Sequence, residues 1–177
     1  VCLRAIDMTG DLLLKELEGS DRDAFTGRLG TLYEHSSWIA AAAWPKGPFQ
    51  DRQSIHDTMQ AIVRSASIDQ QLALIRAHPD LAGRLARSGT LEAHSTGEQT
   101  GLGLDRLSDV EYERFDQLNT AYRTRFGFPF IIAARAHTRE TVVAAFKQRL
   151  GNSLEQERGT ALDEIGKIAW FRLQDLA

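Results

Sequence analysis

The chain has 177 residues, of which 42% are hydrophobic and 25% are charged. This length is typical of one domain with a core large enough to fold without disulfides. Its one cysteine, Cys2, excludes both an internal disulfide framework and a cysteine-rich zinc module. The 21 basic and 24 acidic residues are interspersed and leave a net charge of -3, which disfavours a nucleic-acid partner.

Neither a membrane span nor a targeting segment is predicted. The longest apolar run, Trp38 to Trp44, is far shorter than the ~20 residues that cross a bilayer. The first residues carry acidic side chains and lack the apolar centre of a signal peptide. We therefore expect a cytoplasmic protein that forms one domain over residues 1–177 and has no membrane partner.

Helical spacing dominates the first half of the chain. The predicted helices there cover residues 11–18, 21–29, 38–44, 54–65, 68–77 and 80–87. Thr9, Ser20 and Ser67 are the candidate N-caps of the first, second and fifth of these helices. The fifth helix is expected to end just before His78, because Pro79 disfavours the helical conformation of the residue that precedes it.

Two capping boxes mark helix starts in the second half, at Ser95-Thr96-Gly97-Glu98 and Ser108-Asp109-Val110-Glu111. In such a box the hydroxyl and the carboxylate each bind a backbone amide that otherwise lacks a partner. The second box opens a helix that Gly127 closes. One apolar stripe is predicted along this helix, formed by Phe115, Leu118, Tyr122 and Phe126.

A single strand-like stretch, Phe128–Ile132, interrupts the helical pattern. Pro129 within it favours an isolated extended segment over a sheet strand. Two helices follow, one from Thr138 to Leu150 and a long one that begins at Ser153. The last helix is expected to bury a stripe formed by Ala161, Ile165, Ile168 and Leu176. These patterns predict an all-α, single-domain bundle of about eight or nine helices.

Arg172 is unusual for its position, because it falls within the apolar stripe of the last helix. An arginine stays charged, so a buried one needs anionic or other hydrogen-bond-accepting partners. Two structural interpretations are open: its head reaches solvent at the edge of the stripe, or it pairs with a structural carboxylate. The functional interpretation is that its planar fork binds an oxygen of a substrate.

His78 lies where a helix ends and the chain turns. The negative end of a helix dipole favours the charged imidazole, so this position suits a proton donor or acceptor near neutral pH. A plain C-cap histidine explains the position equally well. The tripeptide His78-Pro79-Asp80 also matches the loop motif of J-domain co-chaperones, which leaves open a non-enzymatic, helical partner-binding protein.

Glu98 and Gln99 lie at a helix start, where backbone amides favour an anionic or hydrogen-bond-rich ligand. Glu98 has a structural interpretation too, as the reciprocal half of the capping box with Ser95. The remaining histidines show no metal-binding spacing, and no nucleophile elbow or phosphate-binding loop is present. Neither a metal nor an organic cofactor is therefore predicted.

Several segments in order along the chain carry a family resemblance. They are Tyr33-Glu34-His35-Ser36-Ser37-Trp38, His78-Pro79-Asp80-Leu81-Ala82, Ser95-Thr96-Gly97-Glu98-Gln99, Leu118-Asn119-Thr120-Ala121-Tyr122, Phe126-Gly127-Phe128-Pro129-Phe130-Ile131, and Lys167-Ile168-Ala169 with Arg172-Leu173. Together they resemble the 2-oxo-4-hydroxy-4-carboxy-5-ureidoimidazoline (OHCU) decarboxylases, which catalyse the last step of uric acid breakdown to (S)-allantoin. The J-domain alternative is weakened, because it explains none of the other segments.

The resemblance implies an all-helical, homodimeric carboxy-lyase without cofactor that acts on a small ureidoimidazoline. It places a catalytic histidine on His78 and catalytic or substrate-contacting side chains on Glu98 and Arg172. Further substrate contacts fall on Pro79, Ser95, Gln99, Phe130, Ile131 and Ile132, the last three through their backbone. We expect His78 to protonate the carbanion from one face, and the imidazole, carboxylate and guanidinium to meet around one small pocket.

Overall fold

The structure is a computed structural model that describes residues 11–82 and 102–177. Within these ranges it contains eight α-helices, three short 3-10 turns and no β-strand, so the predicted all-α class is confirmed. The helices are α1 (Leu12–Leu17), α2 (Arg22–Leu29), α3 (Trp38–Ala43), α4 (Arg52–Ser65), α5 (Ile68–Ala77), α6 (Asp109–Phe126), α7 (Arg139–Arg149) and α8 (Leu154–Asp175). None of them has the length and apolarity that crossing a membrane requires.

The described residues fall into two compact units. The first contains residues 11–65 and 169–177, and the second contains residues 66–82 and 102–168. In the first unit α3 packs against α2 and α4. Its apolar core includes Leu13, Phe25, Leu29, Ile39, Ile55, Met59 and Val63. The single domain expected over residues 1–177 stays a prediction.

The starts of α1 and α2 are capped by aspartates. Asp11 accepts a hydrogen bond from the amide of Leu13, and Asp21 accepts one from Ala24. The prediction that Ser20 caps α2 is therefore wrong. Its hydroxyl donates instead to the carbonyl of Leu17, at the end of the preceding helix. Thr9, the other predicted cap, lies outside the described residues.

Helix α5 begins and ends as predicted. Ser67 and Gln70 form a reciprocal capping box at its start. Its C-cap is His78, whose backbone is extended (φ -78°, ψ 140°), as expected for a residue before proline. Only the first residues of the helix predicted over residues 80–87 are described, and Leu81 and Ala82 form a turn.

Helix α6 starts at the predicted capping box of Ser108 and Glu111 and ends at Gly127, whose φ of 74° suits glycine. Its buried stripe differs from the prediction at one position. Leu118 is only half-buried, whereas Asn119 is buried and donates a hydrogen bond to the carbonyl of Leu81. A distant backbone acceptor thus places a polar side chain inside the unit.

Helices α7 and α8 also start at their predicted caps, Thr138 and Ser153. The inward stripe of α8 is correct for Ala161, Ile165 and Ile168, which are all buried. It is wrong for Leu176, which is half-buried and lies beyond the end of the helix at Asp175.

Arg52 connects the two chain segments that form the first unit. Its guanidinium donates to both carboxylate oxygens of Asp11 and to the carbonyls of Leu173 and Leu176. Carbonyls in the last turn of a helix lack partners within the helix, so Arg52 supplies donors where α8 ends. The hydrogen bond from Arg52 lowers the pKa of Asp11, and the same contact raises the pKa of Arg52.

This ion pair predicts an acid-dependent loss of stability. Because the pKa of Asp11 is lower in the folded protein than in the unfolded chain, its carboxylate stabilises the fold above about pH 4, and this contribution is lost as pH falls through the folded pKa. We expect Asp11→Asn, which keeps a good N-cap, to lower the free energy of unfolding at pH 7 by about 1 kcal/mol.

Urea unfolding at pH 7 and pH 3 measures this effect, and the difference between wild type and Asp11→Asn should shrink at the lower pH. Asp21→Asn makes the same change at the N-cap of α2 and is the matched control. An Asp11→Asn deficit that is equal at both pH values would contradict the assignment.

Candidate active site

His78 is held in place by the helix that it ends. Its side chain is buried, and its Nδ1 lies 2.9 Å from the carbonyl oxygen of Leu74, one turn earlier in α5. A carbonyl only accepts hydrogen bonds, so Nδ1 carries the proton and Nε2 is the nitrogen that gains or loses one. The two interpretations of His78 are therefore compatible, because Nδ1 binds the end of the helix while Nε2 is left for proton transfer.

The chain after His78 is fastened to α6. Arg123 donates to the carboxylate of Asp80 at 2.7 Å, and Asn119 donates to the carbonyl of Leu81 at 2.8 Å. These two contacts restrict the turn that follows the histidine. The contact with Arg123 also gives the aspartate of the J-domain-like motif a partner within the same unit. The sequence shows only that Asn119 is a polar residue next to the predicted apolar stripe of its helix, and this does not identify Leu81 as its partner.

The extended segment predicted at Phe128–Ile132 is buried and forms no ladder with any described residue. Two charged side chains bind the backbone of this segment and of the residue that follows it. Arg149 donates to the carbonyl of Ile131 at 2.7 Å, and the amide of Ala133 donates to Glu164 at 2.8 Å. The guanidinium of Arg149 also lies over the ring of Phe130, with 4.3 Å between its carbon and the ring centroid. The shape of this segment is thus set by side chains from α7 and α8.

A buried ion pair supports these contacts. Arg149 binds one carboxylate oxygen of Glu157 through Nε and Nη2, at 2.8 and 2.6 Å. The hydroxyl of Tyr122 donates to the same oxygen, and the amide of Asn152 donates to the other at 2.7 Å. Burial is the main cause that raises the pKa of Tyr122, and the hydrogen bond to Glu157 is the second. The hydroxyl of Tyr122 therefore remains protonated, and able to donate, across the ordinary pH range. Sequence reasoning did not identify Arg149 or Glu157.

Arg172 is only 3% exposed, which excludes the interpretation that its head reaches solvent. One of its terminal nitrogens lies 3.0 Å from the carboxylate of Glu34 and 3.4 Å from the carbonyl of Leu32. Glu34 is 5% exposed, so the two charges balance each other in a nearly closed environment. The expected partner carboxylate is present, while a substrate contact stays a prediction.

The predicted site residues are distributed over both units. His78, Pro79 and the segment from Phe130 to Ile132 belong to the second unit, and Arg172 belongs to the first. Ser95, Glu98 and Gln99 lie outside the described residues. The expected meeting of imidazole, carboxylate and guanidinium around one pocket therefore stays a prediction. Across residues 11–82 and 102–177 no cluster of three or more potential metal ligands is found.

A cavity lined by residues of the first unit has a volume of about 690 Å³. It is lined in part by Asp11, Phe25, Trp44 and Phe49, and it contains none of the predicted site residues. Its lining residues include the carboxylates Asp11 and Glu18 but no histidine. Volume alone does not make it the active site, since a site is defined by the placement of its chemical groups.

Comparison with known proteins gives consistent matches. The family model described as OHCU decarboxylase matches residues 18–174. The chain is 39% identical over 165 residues to 2-oxo-4-hydroxy-4-carboxy-5-ureidoimidazoline decarboxylase of Haloferax volcanii, which covers 93% of this chain and 96% of that protein. It is 40% identical over 163 residues to the uric acid degradation bifunctional protein PucL of Bacillus subtilis, covering 92% of this chain and 32% of that protein.

A solved structure also resembles this one. The crystal structure of (S)-allantoin synthase superposes with a TM-score of 0.72 and is 36% identical in sequence. The match covers 91% of this chain and 52% of that chain, so this chain spans about half of its length.

The buried ion pair gives a stability prediction. Glu157→Gln keeps the shape of the side chain but leaves the guanidinium of Arg149 without its counter-charge, so we expect a loss of about 3–5 kcal/mol in the free energy of unfolding. Urea unfolding followed by circular dichroism measures it. Glu155→Gln, an exposed position in the first turn of the same helix, is the matched control and should change little. Equal losses in the two variants would contradict this role for Glu157.

Proposed function

Because this chain belongs to the OHCU decarboxylase family, we propose that it removes CO2 from 2-oxo-4-hydroxy-4-carboxy-5-ureidoimidazoline and forms (S)-allantoin in the degradation of uric acid. The family match over residues 18–174 carries this proposal. Members of the family are decarboxylases, which agrees with the predicted class of carbon–carbon lyase. The partner-binding alternative has no comparable support.

The proposed chemistry begins with the breaking of the bond between the ring carbon and the carboxylate. CO2 leaves, and the electron pair that it leaves behind moves toward a neighbouring C=N or C=O of the substrate ring. The substrate thus supplies its own electron sink, and no pyridoxal or thiamine is needed. The hydroxyl on the carbon that carried the carboxylate then gives up its proton and becomes a carbonyl. A proton adds to the neighbouring ring carbon, which bears the ureido arm and is the stereocentre of (S)-allantoin.

His78 is the proposed proton donor. Its Nδ1 is engaged with Leu74, so proton exchange falls to Nε2, and burial keeps the ring in one orientation. A fixed donor protonates one face of a bound ring, which sets the stereochemistry of the product. A hundredfold preference for one face needs only about 2.7 kcal/mol.

The other predicted residues have supporting roles in this proposal. Arg172 holds an oxygen of the substrate, and Glu98 orients the ureido arm through hydrogen bonds. Ser95 and Gln99 complete a polar wall. The backbone from Phe130 to Ile132 contacts the substrate ring, and amides in this stretch would stabilise negative charge that develops on an oxygen. The two side-chain anchors at Ile131 and Ala133 support this role by giving the segment one shape.

Assembly and location complete the proposal. The resemblance favours a homodimer without cofactor, and the composition favours a cytoplasmic protein. Size-exclusion chromatography with light scattering tests the oligomeric state.

The activity is tested by adding purified protein to freshly prepared OHCU and following (S)-allantoin by circular dichroism. Acceleration over the spontaneous reaction is the expected result, and a rate equal to that in buffer would end the enzymatic proposal.

The role of His78 is tested by His78→Asn. We expect kcat/KM to fall by about 10²–10⁴-fold, the usual contribution of general acid–base catalysis, while the helical spectrum stays unchanged. His137→Asn, at a half-buried histidine in the same unit, is the control and should retain activity. Near-normal turnover by folded His78→Asn would refute the proton role.

A further inference from the structure

The ion pair of Glu34 and Arg172 is buried, and both residues belong to the first unit. The two side chains are 4% and 3% exposed, and 3.0 Å separates their nearest nitrogen and oxygen. An arginine cannot lose its proton to escape burial, so its charge must be balanced where it lies. Glu34 places a negative charge directly beside it.

The turn that carries Glu34 contains a residue in an unfavourable backbone conformation. The next residue, His35, has a φ of 46°, in the left-handed region that a side chain other than glycine rarely adopts. Tyr33, on the other side, is buried and donates a hydrogen bond to Gln60 in α4. Backbone strain of this kind persists only where surrounding contacts fix it. Both observations indicate that the position of the Glu34 side chain is tightly determined.

A balanced guanidinium suits a decarboxylase better than a full positive charge. The substrate carboxylate is charged before the reaction and becomes neutral CO2 in the transition state and afterwards. A strong cation beside it would stabilise the bound substrate more than the transition state and so slow the reaction. A carboxylate 3.0 Å from Arg172 weakens the attraction of this side chain for a second anion.

We propose that Glu34 is a positioning residue that fixes Arg172 and limits its attraction for the substrate carboxylate. This inference rests on the proposed function, in which Arg172 contacts a substrate oxygen. It assigns Glu34 no direct contact with the substrate, since its effect passes through the guanidinium.

The variant Glu34→Gln keeps a hydrogen-bond acceptor and removes the negative charge. We expect KM for OHCU and kcat both to decrease, each by roughly threefold to tenfold, because the ground state gains more than the transition state. A residue with a merely structural role would lower the amount of folded enzyme without lowering KM. Glu16→Gln removes the same charge from an exposed ion pair with Arg28 in the same unit and is the matched control.

A binding measurement separates this inference from the proposed function. N-carbamoylglycine carries a ureido group and a carboxylate, whereas (S)-allantoin carries a ureido group and no carboxylate. By calorimetry, Glu34→Gln should bind N-carbamoylglycine more tightly than wild type does and bind (S)-allantoin equally well. Equal tightening for both probes, or for neither, would overturn the inference, while wild type inactive on OHCU would overturn the proposed function.

Glu34→Asp keeps the test decisive should Glu34→Gln fail to fold. It retains the negative charge in the same turn but shortens its reach. We expect kcat to fall, as in Glu34→Gln, but KM to stay at or above the wild-type value, whereas Glu34→Gln should lower KM. A lowered KM in Glu34→Asp would overturn the inference.

Discussion

The second unit depends on the buried ion pair between Arg149 and Glu157. A segment that is neither helix nor strand has no internal partners for its amides and carbonyls, and leaving such groups unpaired in a core is costly. Arg149 satisfies the carbonyl of Ile131, and Glu157 in turn neutralises Arg149. A charged pair therefore makes it possible to bury irregular backbone inside an otherwise helical unit.

The same physical solution occurs in the first unit, where Arg172 and Glu34 balance each other out of contact with water. Buried pairs of this type contribute little net stability, because desolvation cancels much of their attraction. Their consequence is geometric: each guanidinium is held in one place by a fixed carboxylate. In the second unit the pair shapes the backbone proposed to contact the substrate, and in the first it holds the side chain proposed to bind a substrate oxygen.

Local hydrogen bonding explains which helix boundaries could be predicted. Ser67, Ser108 and Thr138 cap their helices as expected, because a cap joins residues only two or three positions apart. The predictions of the α2 cap and of the buried stripe of α6 were wrong for two different reasons. In one case two neighbouring side chains could cap the helix, and in the other a distant backbone group supplied a hydrogen bond. At α2 two adjacent residues could both cap, and Asp21 does so. Along α6 the carbonyl of Leu81, 38 positions away, draws in Asn119.

The sequence by itself determined the helical class, most helix starts, the end of α5 at His78 and the family to which the chain belongs. These follow from short-range patterns and from motifs that are read residue by residue. Only the tertiary structure identified Glu34 as the partner of Arg172 and Arg149 as the anchor of Ile131. Glu34 and Arg172 lie 138 positions apart, and nothing in the local spacing of either residue specifies the other. Which carboxylate neutralises a buried cation is decided by how the chain folds back on itself, because a charge is satisfied by proximity in space.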